Sequence, residues 1–405
     1  MCGPGTVVIG GSLGGLSTAQ ALRRGGYTEP IIVVSEEADG AYDRPPLSKQ
    51  VLAGTWEPAR ARLWDAAALA ELDVTLMPST RAEGLDLNAK EVLLAKGRRL
   101  PYSHAVIATG LAARVGPYEP LPANAHVLRT LEDSLALQKS LAGAPRVVVI
   151  GAGFLGLEIA STARELGCPT TIVEPNEGPL AAALDRTASD TVRALHEKAG
   201  VAFRWSTSVR SFVLRSVGDT DLAAGVELDS GSILRGDVFV LAIGGSPRID
   251  WLRSSGLDLR NGVQCDEYCA AAPDVYAVGD VANWYHRGLG RHLRLEHRTN
   301  AAQQAIVVAG NIMAAVDDRR AYEPVPYVWS DQVGSRLQFY GLPRAADDVR
   351  VVVHEPDRPR LLVLHGREGR LVGAVAVNAA KRVLAVGPLI EQRARFTEAV
   401  ARLSE

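Results

Sequence analysis

Cysteine is scarce in this chain: four in 405 residues, at Cys2, Cys168, Cys265 and Cys269. None forms a C-x-x-C pair, and the closest two stand four residues apart with no further ligand nearby. A dithiol redox motif and a cysteine-based metal centre are thereby excluded, no metal site is expected, and the thiols read as isolated side chains. Long apolar runs are also missing, since no uninterrupted segment approaches the ~18 residues a membrane span needs. Charge of one sign is lacking too: 44 Lys and Arg against 46 Asp and Glu leave a net charge of −2. Nothing global therefore favours nucleic acid or a membrane surface as partner. The first strand-like run comes almost at once, without a basic stretch and apolar segment ahead of it, so a soluble, cytoplasmic enzyme is expected. With 47% hydrophobic residues over this length there is room for roughly two or three domains.

What the chain does contain is a glycine-rich fingerprint, twice, about 140 residues apart. The first is Val7-Val8-Ile9-Gly10-Gly11-Ser12-Leu13-Gly14-Gly15; the second is Val147-Val148-Val149-Ile150-Gly151-Ala152-Gly153-Phe154-Leu155-Gly156. Each follows an apolar strand-like run and opens a helix-like one, the context in which such glycines cradle a dinucleotide. One fingerprint would suit a dehydrogenase or a nucleotide-binding module. Two imply that two dinucleotides meet, and electron transfer is the reason for them to meet.

The first unit reads as strand Thr6–Ile9, the glycine turn, a helix through Arg24 and strand Ile31–Ser35, with Leu16, Ala19 and Leu22 facing the sheet. Glu36 and Glu37 close the second strand, about 20 residues beyond the last glycine, where a carboxylate can accept hydrogen bonds from a ribose diol. Ser12 stands where the second glycine is expected, so the backbone approaches the pyrophosphate less closely. The second unit repeats the plan: strand Arg146–Ile150, a helix to about Leu166, strand Thr170–Val173, then Glu174. Its helix N-terminus offers free amides to a pyrophosphate. Glu174 would bond the 2′-hydroxyl of NAD and repel the 2′-phosphate of NADP, and Pro175, Asn176 and Glu177 supply no arginine, so NADH is favoured.

Return strands close each half, at His104–Ile107 followed by Ala108-Thr109-Gly110 and at Val238–Leu241 followed by Ala242-Ile243-Gly244-Gly245. A further strand ends in Gly279-Asp280. From about Tyr322 short alternating strands (Leu337–Tyr340, Val349–Val353, Arg360–His365, Leu371–Ala376) and a final helix Gly387–Leu403 read as an α+β domain. The expected fold is α/β, with two Rossmann-like dinucleotide-binding domains plus a C-terminal α+β domain. The boundaries fall at 1–115 with 241–321, 116–240, and 322–405.

The segment Tyr42-Asp43-Arg44-Pro45-Pro46-Leu47-Ser48-Lys49 is more specific than any glycine motif. With Leu128-Arg129-Thr130-Leu131-Glu132-Asp133, Tyr276-Ala277-Val278-Gly279-Asp280, Glu296-His297-Arg298-Thr299-Asn300-Ala301 and Trp329-Ser330-Asp331-Gln332, it resembles the FAD-dependent ferredoxin reductases of bacterial cytochrome P450 and ring-hydroxylating dioxygenase systems. This is the putidaredoxin-reductase type, built on the glutathione-reductase-like plan, and the resemblance covers essentially the whole chain. It implies tightly bound FAD on the first fingerprint and exchangeable NADH on the second. The implied FAD set is Gly10, Ser12, Leu13, Gly14, Gly15, Glu36, Glu37, Arg44, Pro45, Lys49, Ala82, Ala108, Thr109, Gly110, Arg129, Gly279, Asp280, Glu296, His297, Arg298 and Trp329. Asp280 would hold the ribityl chain, Glu296 would meet the nicotinamide end, and Trp329 would reach the flavin. The NADH set is Gly151, Gly153, Phe154, Leu155, Gly156, Glu158, Glu174, Ile243, Gly244 and Gly245. Lys49 would lie beside the flavin and pair with Glu158, the two being the implied catalytic residues. Arg298 departs from the pattern, standing where many relatives carry an aromatic side chain.

Disulfide reductases of this architecture pass electrons to a cysteine pair beside the flavin. This chain has none, so its electrons leave to an outside acceptor. The resemblance implies a [2Fe–2S] or related ferredoxin docking on a basic face, for which Arg287, Arg291 and Arg294 are candidates, and a monomeric enzyme. A rubredoxin partner, an NADH oxidase using oxygen, and an NADH-sensing protein like the apoptosis-inducing flavoproteins stay open as alternatives.

Overall fold

The computed structural model describes residues 4–38, 40–181 and 183–404, so Cys2 lies outside the described residues. The chain forms two compact units: residues up to 43 with 61–112 and 246–324, and residues 44–60 with 113–245 and 325–405.

In the first unit the buried run Thr6–Ile9 occupies the middle of a six-stranded sheet. The order is Ala270–Ala272, Val275–Ala277, His104–Ile107, Thr6–Ile9, Ile31–Val34, Thr75–Met77. All neighbours pair in parallel except the outermost Ala270–Ala272. Continuous apolar strands are what a parallel sheet covered on both faces requires. Helix Leu13–Arg24 lays Leu16, Ala19 and Leu22 on this sheet, and the second strand stops at Val34, one residue short of Ser35. Thr6–Ile9 has Ile31–Val34 on one side and His104–Ile107 on the other. The strand order therefore reverses there and opens a crevice at the carboxyl ends of the strands.

The second unit repeats this plan in a five-stranded parallel sheet: Ala202–Arg204, Thr170–Val173, Val147–Ile150, Val238–Leu241, Ala125–His126. Helix Phe154–Glu165 follows its glycine turn, and an antiparallel three-stranded sheet (Val209–Val217, Thr220–Leu228, Ile233–Arg235) shares a core with it through Val148, Phe239 and Val226. Residues 325–404 contain an antiparallel sheet in the order Tyr327–Gln332, Ser335–Gly341, Arg370–Val377, Arg360–Arg367, Asp348–Glu355. The α/β reading with a C-terminal α+β part is the architecture observed.

One expected element differs. The final helix Gly387–Leu403 is two helices, Val386–Glu391 and Phe396–Ser404. Arg393 takes a left-handed φ of 51°, and the Phe396 amide donates to Gly369 O instead of continuing a helix. The break drops Phe396 into the core with Leu362, Leu371 and Leu389. No helix among the described residues is long and apolar enough to cross a membrane.

Phe396 is 3% exposed, and a Cβ added to Gly366 would lie 2.7 Å from its ring. Phe396→Ala is expected to cost about 3–4 kcal/mol of stability. Denaturant unfolding checks this, and an unchanged midpoint would contradict the packing described.

Candidate functional site

Both glycine turns are forced by the same two approaches. Gly10 has φ 122°, and a Cβ there would lie 2.2 Å from Ala108 O; Gly151 has φ 106°, with Ala242 O at 2.5 Å. Five residues beyond the first glycine of each turn, Gly15 would place a Cβ 1.9 Å from Gly10 O and Gly156 one 2.0 Å from Gly151 O. Side chains at these four positions would push the helix off its strand, so glycine there serves the fold. Gly153 is different: a Cβ there meets nothing within 4 Å. Nothing in the described protein requires that glycine, while a pyrophosphate drawn to the helix N-terminus does. Ser12 holds the equivalent place in the first turn, at the N-cap of Leu13–Arg24, and its hydroxyl makes no capping bond. Both turns thus fit a dinucleotide.

Around the first turn, Gly14 packs against Val278 and Ala301, which brings Gly279 and Asp280 beside the helix that Leu13 begins. The Gly279 amide donates to Gln304 Oε1 at 2.8 Å. Past Ala108, the Thr109 hydroxyl donates to Arg248 O at 2.8 Å and Gly110 O accepts from the Arg248 amide. Arg248 then extends Nη1 to Glu36 Oε2 at 2.6 Å, with Arg81 at 3.8 Å from the other oxygen. Arg81 precedes Ala82, which begins strand Ala82–Asp86. Glu37 accepts from the Tyr42 hydroxyl. Glu296 pairs with Arg294 at 2.8 Å, and Arg298 with Asp43 at 2.6 Å. Burial pushes the His297 imidazole down to about 4.

Around the second turn, Glu174 is buried and both its oxygens are engaged. Oε2 accepts the Ala152 amide at 2.7 Å, and Oε1 accepts the amide and side chain of Asn176. The carboxylate therefore braces the glycine turn. Phe154 meets the Phe339 ring edge-on, and Leu155 is half-buried. Ile243 lies at 3.3 Å from a Cβ added to Gly116, and Gly244, with φ 95°, accepts the Arg114 amide ahead of Gly245.

The same unit gathers a polar cluster on helix Phe154–Glu165. Lys49 Nζ lies 2.8 Å from Glu158 Oε2, with side-chain exposures of 16% and 11%. Ser48 donates to Glu158 Oε2 at 2.5 Å, and Ser330 donates to Oε1 at 2.5 Å. One helical turn on, Thr162 donates to Ser48 O and Ser161 accepts the Val333 amide. Pro45 starts the short 3₁₀ turn that carries Ser48, and Arg44 donates to Arg129 O. Arg129 and Thr130 amides both bond Asp133, which caps helix Leu131–Ser140. Trp329 stacks on Tyr327 at 6.0 Å.

Sequence reasoning named Lys49 and Glu158 but passed over Ser48 and Ser330, whose hydroxyls hold the carboxylate. Strand alternation was the available signal, since it turns Ser330 inward beside an outward Trp329. Arg294 is a correction: its side chain is 10% exposed, bonded to Asp280 O, Asn261 and Glu296, and presents no outward charge. Of the three candidate arginines only Arg287 and Arg291 are exposed. The described cysteines Cys168, Cys265 and Cys269 are buried and free.

Gly156→Ala is expected to cost about 2–3 kcal/mol of stability. Gly153→Ala should leave the melting temperature unchanged while weakening NADH binding roughly tenfold, about 1.4 kcal/mol. Thermal scans with NADH titrations separate the two, and equal loss of stability would contradict the distinction.

Residues 5–305 match the pyridine nucleotide-disulphide oxidoreductase family, and residues 327–402 match the reductase C-terminal family. The chain is 36% identical to the ferredoxin–NAD(+) reductase component of the anthranilate 1,2-dioxygenase system of Burkholderia cepacia, over 95% of this chain and 94% of that one. It is 33% identical to rhodocoxin reductase of Rhodococcus erythropolis, over 97% and 92%. Among solved structures, the covalent putidaredoxin reductase–putidaredoxin complex aligns with a TM-score of 0.91 at 29% identity, covering 97% of this chain and 94% of that one. With its duplicated glycine cradles and its C-terminal sheet, the chain belongs to the pyridine nucleotide-disulphide oxidoreductase family and carries that family's reductase C-terminal domain.

Proposed function

We propose that this protein is an NADH-dependent ferredoxin reductase with tightly bound FAD, supplying electrons to an oxygenase of the cytochrome P450 or dioxygenase type. The observation that carries the reading is the pair of dinucleotide cradles in a chain whose described cysteines form no pair. The relatives named as ferredoxin and rhodocoxin reductases support it, as does the putidaredoxin reductase in complex with its redox partner. Residues 1–115 with 241–321 are assigned to FAD, 116–240 to NADH and 322–405 to the C-terminal domain. When bound, FAD accepts a hydride from NADH and releases electrons singly, which couples a two-electron donor to a one-electron acceptor.

The protein's part is to bind and orient. Gly10, Ser12 and the helix they open would hold the FAD pyrophosphate, with Glu36 toward its ribose and Asp280 toward its ribityl chain. Gly151, Gly153 and Glu174 would do the same for NADH, the carboxylate excluding a 2′-phosphate. Lys49 is assigned to the flavin, as the resemblance implies, where its positive charge favours electron density on the ring. Its pairing with Glu158 gives that charge a fixed direction. Holding the nicotinamide in line with its acceptor then does most of the catalytic work.

The acceptor reading is tested by anaerobic reduction with NADH followed by a panel of [2Fe–2S] ferredoxins, with cytochrome c reporting electron output. Fast turnover with air alone and none with any ferredoxin would overturn it. Lys49→Ala is expected to slow flavin reduction at saturating NADH by roughly tenfold while leaving NADH affinity within about twofold; stopped-flow absorbance reads both. Reversing Arg287 and Arg291 to Glu should lower the ferredoxin on-rate and its salt sensitivity, and an unchanged on-rate places the docking face elsewhere. Glu174→Arg should exchange NADH for NADPH preference in steady-state kinetics.

A further inference from the structure

The strand Tyr327–Gln332 separates the Trp329–Gln332 motif into two faces. Trp329 and Asp331 lie on one, half-buried, and Asp331 forms an ion pair with Arg336 at 2.8 Å. Ser330 and Gln332 lie on the other, at 1% and 2% exposure. Polar side chains so deeply buried must be partnered. Ser330 donates to Glu158 Oε1 at 2.5 Å, and Gln332 Nε2 donates to Ser330 Oγ at 2.8 Å. Gln332 Oε1 in turn faces His196 Nε2 at 3.0 Å, and His196 is 0% exposed.

The direction of each bond follows from its far end. A carboxylate paired with an ammonium has no proton to offer, so the Ser330 hydroxyl spends its own on Glu158. Ser330 Oγ must then accept, which points the Gln332 amide nitrogen at it and leaves Oε1 toward His196. His196 therefore carries its proton on Nε2. Its Nδ1 is buried without a partner, and burial pushes the imidazole below its ordinary value, so a second ring proton has no place. The chain has one direction, ending on Glu158. There Oε1 is held from one side and Oε2 by Ser48 and Lys49 from the other, and the carboxylate cannot turn.

We propose that Ser330, backed by Gln332 and His196, is a positioning residue that locks the Glu158 carboxylate and through it aims the Lys49 ammonium. Its consequence for catalysis rests on the reading that Lys49 serves the flavin. The C-terminal domain thereby takes part in setting the charge that the nucleotide-binding helix presents, beyond its role in packing.

The test uses the FAD-loaded full chain. Trace acetylation of Lys49, quantified by mass spectrometry, should rise roughly threefold or more in Ser330→Ala and return to near wild type in Ser330→Thr, which keeps the hydroxyl. Flavin reduction at saturating NADH should fall by about tenfold in Ser330→Ala with NADH affinity little changed. Unchanged acetylation overturns the positioning role. Raised acetylation with an unchanged reduction rate leaves that role standing and overturns the assignment of Lys49 to the flavin. A measurement on the unaltered protein guards against a variant that does not fold: nitrogen NMR of the histidines should show His196 neutral with its proton on Nε2 near neutral pH. A proton on Nδ1, alone or as the second of two, overturns the chain of bonds.

Discussion

The structure depends on how closely a helix can approach the strand before it. In both halves a return-strand carbonyl, Ala108 O or Ala242 O, and the first glycine's own carbonyl occupy the space that side chains would need. Backbone contact at that range fixes the angle at which each helix leaves its turn. It also leaves the first amides of the helix unpaired and pointing one way, which converts a packing constraint into an anion site. Gly15 and Gly156 thus shape the helix N-terminus although they act only on the backbone.

The second of these helices does more than open from a glycine turn. Glu158, Ser161 and Thr162 lie on its buried face and between them reach two distant stretches of chain: Ser48 and Lys49, met by Glu158 and Thr162, and Ser330 and Val333, met by Glu158 and Ser161. Burying such groups is unfavourable unless each is satisfied. Here each is, by a segment brought from more than 100 residues away along the chain. One helix consequently ties the Pro45–Lys49 turn and the Tyr327–Gln332 strand to the glycine turn, and none of the three can shift alone.

Legibility in the sequence followed the range of the interactions. The glycine turns and their sheets were readable because φ and close approach constrain residues that are neighbours along the chain. Glu174 was readable in place, but its bonds to Ala152 and Asn176 needed the fold. The break before Phe396 was hidden because Arg393 adopts a left-handed conformation that glycine or asparagine would have advertised. Arg294 read as a candidate for a basic docking face, yet three oxygens gather around its guanidinium. The Ser330–Glu158 contact joins residues 172 apart, and no local periodicity encodes a partner at that distance.

The three described thiols bear on how such a protein endures its own chemistry. Burial raises Cys168, pushes Cys269 up to about 12 and carries Cys265 well above the ordinary thiol range. Only a thiolate reacts readily with peroxide or with another sulfur. A flavoprotein working where oxygen is handled generates peroxide whenever an electron goes astray, and these sulfurs stay in the form that does not respond to it. Among the described cysteines, electrons and oxidants alike therefore find no thiolate that would keep them.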